Sequence, residues 1–528
     1  MSVCVCLYPE IPEEIRLWGE SHLALDNVYR IIGDQLFSFL PEEELTSMYA
    51  PGGRSSINPI LLSFVTIFQD LEDIPDRVAA LWVKTRLDWK YALHLPLDDG
   101  GFHYADLCNF RKRLLLHGKE SLIFEELLRK IEALGFLKKR GYQRTDSTHV
   151  LAVVRQLSRL ENLSEGLRMA LKAVEQADAA FYQAKLPALY REHWSKPLND
   201  YQMTDAERKE ALERVGQDID WLLGFLKTNR ESFLCFPALQ VLQTLFSQHF
   251  TLRAQTVSLK KEAAPGKEKI QTPHDPEARY STKRGKGWTG YKVHITETAK
   301  EKGEVNFVTE VTTTNACERD SETLPQIQEN LAERSLTPEE QFVDKGYTTG
   351  DNLASSQSKG INLMGEVNTP ENHGRFPADD FSIDFEAETA TCPAGCTSWS
   401  WRTFEHGKHQ GAVEIKFGHQ CQDCPLRAQC TSAKHGRKLR LQRQYPLLKA
   451  RREEGKTEAF KQAMKRRPPI EGTLSEMVRA HGLRKSRYRG LAKTHLQHLM
   501  KGAALNLKRL IKRLTLPEKS QSPLLATA

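Results

Sequence analysis

The sequence reads as an α/β protein, with helices packed against a mixed sheet, and three observations carry that reading. A long helical run ends near Gly141 and gives way to a Thr- and Val-rich stretch at 142–153. Further on, Tyr291, Val293 and Ile295 alternate with Lys292, His294 and Thr296, which is the two-residue period of a strand. Two short apolar runs, QFVD at 341–344 and GINLMGEV at 360–367, then follow a stretch of helical spacing at 321–334. The chain has 528 residues, 40% hydrophobic and 27% charged. That composition suits about two to four globular domains and excludes a disordered or fibrous chain.

In chain order, residues 1–135 read as a helical N-terminal domain. Val78, Leu81, Trp82, Trp89, Ala92 and Leu93 mark the apolar stripe of one helix after Pro75, and residues 110–137 continue in helical period. Arg111, Lys112 and Arg113 on this region suit docking to DNA, or equally a dimerisation or packing role. Residues 142–153 are expected to form a strand with Asp146 in its middle. Residues 157–255 return to helix as an insertion. Thr204 and Glu207 make a capping box there, followed by the stripe Leu212, Val215, Ile219, Leu222 and Leu226.

A loop at 260–287 leads into a hairpin formed by the segment around 291–296 and by residues 305–316. The expected order is strand, long insertion, strand, strand, helix, strand, helix, strand. Residues 136–370 would hold the first part of this sheet domain, 371–450 a Cys-rich insertion, 451–516 a C-terminal part with basic helices, and 517–528 a frayed tail.

The longest uncharged stretch, Ser232 to Leu252, is interrupted by Pro237, Gln240, Gln243, Gln248 and His249. A membrane span needs about 20 predominantly apolar residues, so a buried helix is expected there and no membrane partner. The first residues, MSVCVCLYPEIPEE, lack a basic segment ahead of a long apolar one, and the expected location is the cytoplasm.

The formal net charge of +7 conceals an asymmetry, because Arg427 to Lys519 holds 26 Lys and Arg against 6 Asp and Glu. A block of that kind suits a polyanion, since neutralising phosphates releases condensed counterions. A solvated helical face is the plain alternative. The last segment joins helical apolar spacing at Leu496, Leu499, Ala503, Leu507 and Leu510 to a dense basic face. Around Tyr488, the cations Arg484, Lys485, Arg487 and Arg489 are candidates for phosphate contacts.

Asp146 and Asp344 each sit in or at the end of a short apolar strand. Carboxylates there are costly to bury unpaired, so two on one sheet suggest a shared divalent cation, although each alone also suits a strand-end cap or an ion pair. With a third acid they would form a hard-oxygen site for Mg²⁺, able to activate a nucleophile and stabilise a leaving oxygen at phosphorus. His149 and His294 are expected near the acids, to orient water or phosphate, with the alternative of satisfied structural histidines, and Lys292 shares a strand face with His294. Lys345, directly after Asp344, is a candidate phosphate contact or a balancing charge. Five of the ten cysteines, Cys392, Cys396, Cys421, Cys424 and Cys430, fall within 39 residues. Such clustering points to a tetrahedral structural zinc before it points to disulfides, with one thiol to spare.

The segments YQRTDSTHV, HDPEARYSTKRGKGWTGYKVH, FVDKGY, RRPPIEG and HGLRKSRYRGLAKTHLQHLMKGAALNLKRL, in that order, resemble the DDE transposases of bacterial insertion sequences. The resemblance is to the branch with an N-terminal helical domain and a Cys-rich insertion, and it extends from about residue 20 to 515. It implies an RNase H-like catalytic core with Asp146, Asp344 and Glu471 as the acids, holding two Mg²⁺ (or Mn²⁺). It also implies cleavage and strand transfer on double-stranded DNA, both transposon ends and target, by a homodimer in the synaptic complex. No small-molecule substrate is implied. A bacterial protein of this kind would be nucleoid-associated when bound.

Glu471 follows Pro468, Pro469 and Ile470, a start that suits the first turn of a helix. The 126 residues between Asp344 and Glu471 require an inserted subdomain. The family's Tyr, Arg, Glu, Lys signature is partly met. Arg467 stands four positions before Glu471 as a phosphate contact, but Met464 and Val478 occupy the Tyr and Lys positions, and Glu476 is a rival third acid. For zinc the resemblance favours Cys392, Cys421, Cys424 and Cys430, whereas pairing two short Cys motifs favours Cys396 over Cys430. Two other readings fit the same residues: a nuclease on this core that does not join strands, and a catalytically inactive DNA-binding descendant.

Overall fold

The computed structural model describes residues 2–3, 10–50, 52, 55–155, 157–198, 200–253, 256–261, 264–283, 285–300, 303–369, 375–407 and 410–515. The expected tail at 517–528 lies outside the described residues.

The N-terminal third is helical, as its periodicity predicts. Its main helices are α1 (Pro59–Glu72), α2 (Asp76–Thr85), α3 (Ala105–Leu116) and α4 (Leu122–Ala133). Asn58 caps α1 by accepting from the Ile60 N–H, and Pro59 occupies the first turn, where its missing N–H costs nothing. One expectation is corrected here. The stripe after Pro75 is two helices, because Arg86 adopts extended backbone between α2 and Leu87–Ala92. Its guanidinium pairs with Asp88 and Glu72 and lies over Trp82 and Trp89, which holds the break. Ala79, Ala80 and Val83 form the buried side of α2, and Leu81 is exposed.

The central sheet begins with β1 (Gln143–Leu151). The helical insertion follows: α5 (Arg159–Ala177), α6 (Asp205–Asn229) and α7 (Pro237–His249). The capping box of Thr204 and Glu207 forms as its sequence predicts. Leu163, Val215, Ile219, Leu222, Leu226 and Leu242 are buried in a core separate from the main one, to which Ile270 also belongs. Its end is not helical, since Phe250–Arg253 and Thr256–Leu259 make an antiparallel hairpin.

The sheet resumes with β2 (Arg279–Lys283), β3 (Lys286–Thr298) and β4 (Val308–Asn315). The expected loop at 260–287 therefore contains a strand, β2, which pairs with the first residues of β3. After α8 (Asp320–Glu333) come β5 (Glu340–Val343), α9 (Gly350–Ser358) and β6 (Asn362–Met364). The strand order is β6-β5-β1-β3-β4. β6, β5 and β1 are parallel, and β3 is antiparallel to both β1 and β4, so the sheet is mixed as expected. Gly290 lies where β3 exchanges β2 for β1, and a Cβ there would stand 2.2 Å from the Val150 carbonyl oxygen, so only glycine fits.

A second small sheet, β7 (Ser400–Thr403), β8 (Val413–Lys416) and β9 (Lys438–Leu441), builds the Cys-rich region around Phe381, Ile415 and Phe417. The chain returns to the main sheet through α10 (Ile470–Ala480) and the 25-residue α11 (Leu491–Thr515). Leu496, Leu499, Ala503, Leu507 and Leu510 are buried, as their spacing predicts, in one apolar core running from Tyr29 to Ile511. α11 also covers the open edge of β4, where Asn506 donates to the Val308 carbonyl (2.7 Å) and accepts from its N–H (2.8 Å).

Candidate active site

β1 and β5 run parallel with Thr145 opposite Val343. One step further along both strands are Asp146 and Asp344, so the two acids are neighbours on adjacent strands and point to one face. α10 brings the third acid. Ile470 is fully buried at its start, and Glu471 projects from the first turn with its side chain 68% exposed.

One side chain joins all three acids. Arg467 Nη2 donates to Asp146 Oδ2 at 3.1 Å and lies 3.9 Å from Asp344 Oδ1, while its Nη1 lies 3.6 Å from Glu471 Oε1. Its Nε is buried without a hydrogen-bond partner. Asp146 is the most enclosed of the three acids, 15% exposed against 56% for Asp344 and 68% for Glu471. Burial raises its pKa, opposed by the Ser147 N–H and by Arg467, with Asp344 adding to the rise. Three hard oxygen donors around one cation are the donor chemistry a divalent metal requires. Among the described residues, however, no three His, Cys, Asp or Glu side chains stand close enough together to hold a metal ion, neither these carboxylates nor the clustered cysteines.

What positions Glu471 and Arg467 was missed by sequence reasoning. Glu297 on β3 is fully buried and pairs with Arg144 of β1 (2.6 Å) and Arg509 of α11 (2.9 Å). It also accepts from Thr473 Oγ1 (2.7 Å), two residues after Glu471, while Arg144 Nη1 donates to the Arg466 carbonyl (3.0 Å). A buried Glu thus ties β1, β3, α10 and α11 together beside the acids. The only sequence signal was Glu297 continuing the alternation of an apolar strand. Lys283 on β2 was also missed, although its charge reaches Asp146 and His149; the run KRGK at 283–286 was its signal.

The expected histidines and Lys292 fall on the wrong side of the sheet. In register, Asp146 lies opposite Ile295, whereas Ser147 lies opposite His294 and His149 opposite Lys292, so these last four share the other face. His294 is buried, 2.7 Å from the Tyr347 hydroxyl, and burial pushes its pKa down to about 4. Lys292 is held by Asp320 (2.9 Å) and the Glu318 carbonyl (2.6 Å). Arg111 is corrected as a DNA contact too, being buried against Asp76 and Gln69. Glu476, the rival acid, pairs with Lys508 and Arg509. Met464 and Val478 pack against apolar clusters.

The basic segment 484–489 reaches the site. Leu151 donates to the Arg484 carbonyl (2.8 Å) and accepts from the Ser486 N–H (3.0 Å), which lays this segment along the end of β1. Arg484 Nε donates to Thr148 Oγ1 (3.0 Å), on the face of Asp146. Lys345, Lys485 and Arg489 are exposed, whereas Arg487 is tied to Asp73.

In the Cys-rich region, Cys392, Cys421, Cys424 and Cys430 line one small cavity, together with Phe376, Phe417 and Arg437. Cys396 is outside that lining, but its N–H donates to Cys392 Sγ (3.3 Å), as the Arg437 N–H does to Cys421 Sγ (3.4 Å).

No helix among the described residues is long and apolar enough to cross a membrane. No curated protein and no solved structure matches the chain. Two family models do. Residues 391–511, which include the clustered cysteines and Glu471, match a transposase DDE domain, and residues 19–113 match a second transposase domain. These matches lie at the two ends of a chain whose N-terminal helices and final helix share one core, and together they support a DDE transposase of an insertion element.

Proposed function

We propose that this chain cleaves and joins DNA at the ends of its element, using an RNase H-like core whose acids are Asp146, Asp344 and Glu471. The observation that carries the reading is the meeting of those acids, from β1, β5 and α10, at the single guanidinium of Arg467. The strand order β6-β5-β1-β3-β4, with the antiparallel pairs on one side, supports the RNase H-like assignment. Two divalent ions, Mg²⁺ or Mn²⁺, held by these carboxylates would activate the nucleophile and stabilise the leaving oxygen at phosphorus. Arg467 then leaves the carboxylates and donates both Nη groups to a phosphate oxygen pair. Arg484, Lys485, Arg489 and Lys345 neutralise the backbone of the bound end, and synapsis of two ends requires a dimer. Residues 371–450 form a module closed by structural zinc on Cys392, Cys421, Cys424 and Cys430, a set favoured by the cavity these four thiols share. The bacterial cytoplasm is where such a protein meets its DNA.

The test is incubation with Mg²⁺ and a labelled duplex carrying the inverted repeats that flank the gene, beside Glu471→Gln and Asp146→Ala. Cleavage with joined products, lost in both variants, is expected. Cleavage without joining would favour a nuclease, and binding without cleavage under any divalent metal would favour an inactive descendant.

A further inference from the structure

The small sheet β7, β8, β9 has two unlike faces. Register places Trp401, Val413, Ile415, Leu439 and Leu441 on one side, packed in the core of the Cys-rich region. On the other side lie Arg402, Glu414, Lys416, Lys438 and Arg440. Lys416 stands directly opposite Lys438, and Arg402 and Arg440 both flank Glu414. Glu414 is the only carboxylate these cations share in the sheet. Its side chain is 6% exposed, and it receives Lys438 at 2.5 Å, Lys416 at 3.2 Å and Arg440 at 3.5 Å. The cations themselves remain open to solvent, at 41% for Lys416, 48% for Lys438 and 51% for Arg440. Phe404 lies 5.2 and 5.6 Å from the guanidinium carbons of Arg402 and Arg440, which holds both over its ring.

Like charges directly opposite in a sheet are destabilising, and here Lys416 and Lys438 have only the Glu414 carboxylate to share. Four cations against one buried carboxylate leave a flat, positive face of about 13 by 10 Å, from strand rise and spacing. The charge is complementary to a polyanion, and a flat three-stranded face meets the phosphates that rim the grooves, not the base edges inside them. We propose that this face is a docking surface for the sugar-phosphate backbone of duplex DNA, away from the three acids and independent of base sequence. The proposal rests on the transposase reading, and it adds a contact that neither the acids nor the 484–489 segment supplies.

The experiment titrates the full chain against a short fluorescent duplex of arbitrary sequence over a KCl series, with Lys416→Gln/Lys438→Gln/Arg440→Gln beside the wild type. Each phosphate contact contributes about 0.9 to the slope of log affinity against log salt, so the variant's slope should fall by about 2–3 and its low-salt binding by tenfold or more. A wild-type slope in the folded triple variant overturns the surface while leaving the transposase reading intact. Failure of the wild type to bind duplex DNA overturns that reading and the surface with it. If circular dichroism shows the triple variant unfolded, Lys416→Gln alone is measured instead. A slope lower by about 0.9 supports the surface, and an unchanged slope overturns it.

Discussion

Glu297 shows how one buried charge organises a site it never touches. Its carboxylate answers Arg144 and Arg509 and accepts from Thr473, so removing it leaves two enclosed guanidinium groups short of their anion. Breaking a buried pair in this way costs about 3–5 kcal/mol. Glu297→Gln should lower stability by that amount in urea denaturation, and Thr473→Val, which removes the hydrogen bond to Glu297 and the one accepted from Arg509 Nη2, by about 1.5–3 kcal/mol for each bond. Thr473→Val should also slow DNA cleavage with little change in DNA affinity, because it loosens α10 and Glu471 without touching a phosphate contact. Equal loss of both would place Thr473 in binding.

At the scale of elements, α11 does two jobs that its apolar stripe does not advertise. It buries Leu499, Ala503 and Leu507 in the main core and closes the edge of β4 with Asn506. Asn506→Leu would leave the Val308 N–H and carbonyl buried without partners, at about 1–3 kcal/mol for each group. A melting temperature within a degree of the wild type would show that α11 does not seal this edge. The Cys-rich module makes a second element-level prediction. Purified protein should carry about one zinc per chain, and Cys424→Ser should release it and expose Trp401 to quenching, since a structural zinc contributes folding energy outright. Cys396→Ser should retain the metal.

Across the whole molecule, pH acts through enclosed histidines. Burial lowers the pKa of His249, His294 and His495 to about 4 each. For His249, Arg159, Lys269 and Lys260 add to the fall. Lys292 lowers and Asp320 raises that of His294, and Arg334 lowers that of His495. Since their folded values lie below the unfolded one near 6.5, the unfolded chain binds more protons between about pH 6.5 and 4. Stability is therefore full above that window and falls through it, by about 1 kcal/mol per pH unit for each fully buried histidine. Thermal melts from pH 7.5 to 4.5 should show the midpoint dropping mainly below pH 6.5; a flat profile would mean that these histidines titrate alike in both states.

The same scale explains the basic C-terminal block. Many of its cations are already spent inside the protein: Lys501 on Asp70, Arg452 on Asp379, Arg487 on Asp73 and Arg509 on Glu297. Among those that remain exposed are Arg484, Lys485 and Arg489 beside the acids and Lys438 and Arg440 on the small sheet.

Much of this was legible in the chain alone, and the reason is locality. Helix and strand periods, the Thr204 cap and the burial of α11 follow from backbone geometry over a few residues, so they can be read from spacing. Asp146 and Asp344 stand out in the chain as acids at short apolar strands, whereas Glu471 enters only through the resemblance to the DDE transposases. Spacing also held a warning that went unused, since Asp146 and His149 are three apart on a strand and must face opposite sides. The guanidinium that joins the acids, the Glu297 hub and the division of cations between ion pairs and open surface could come only from packing. Arg467 lies 321 residues from Asp146, and Arg509 lies 212 from Glu297. No local period encodes which charges meet over such separations; the docking of α10 and α11 onto the sheet chooses those partners.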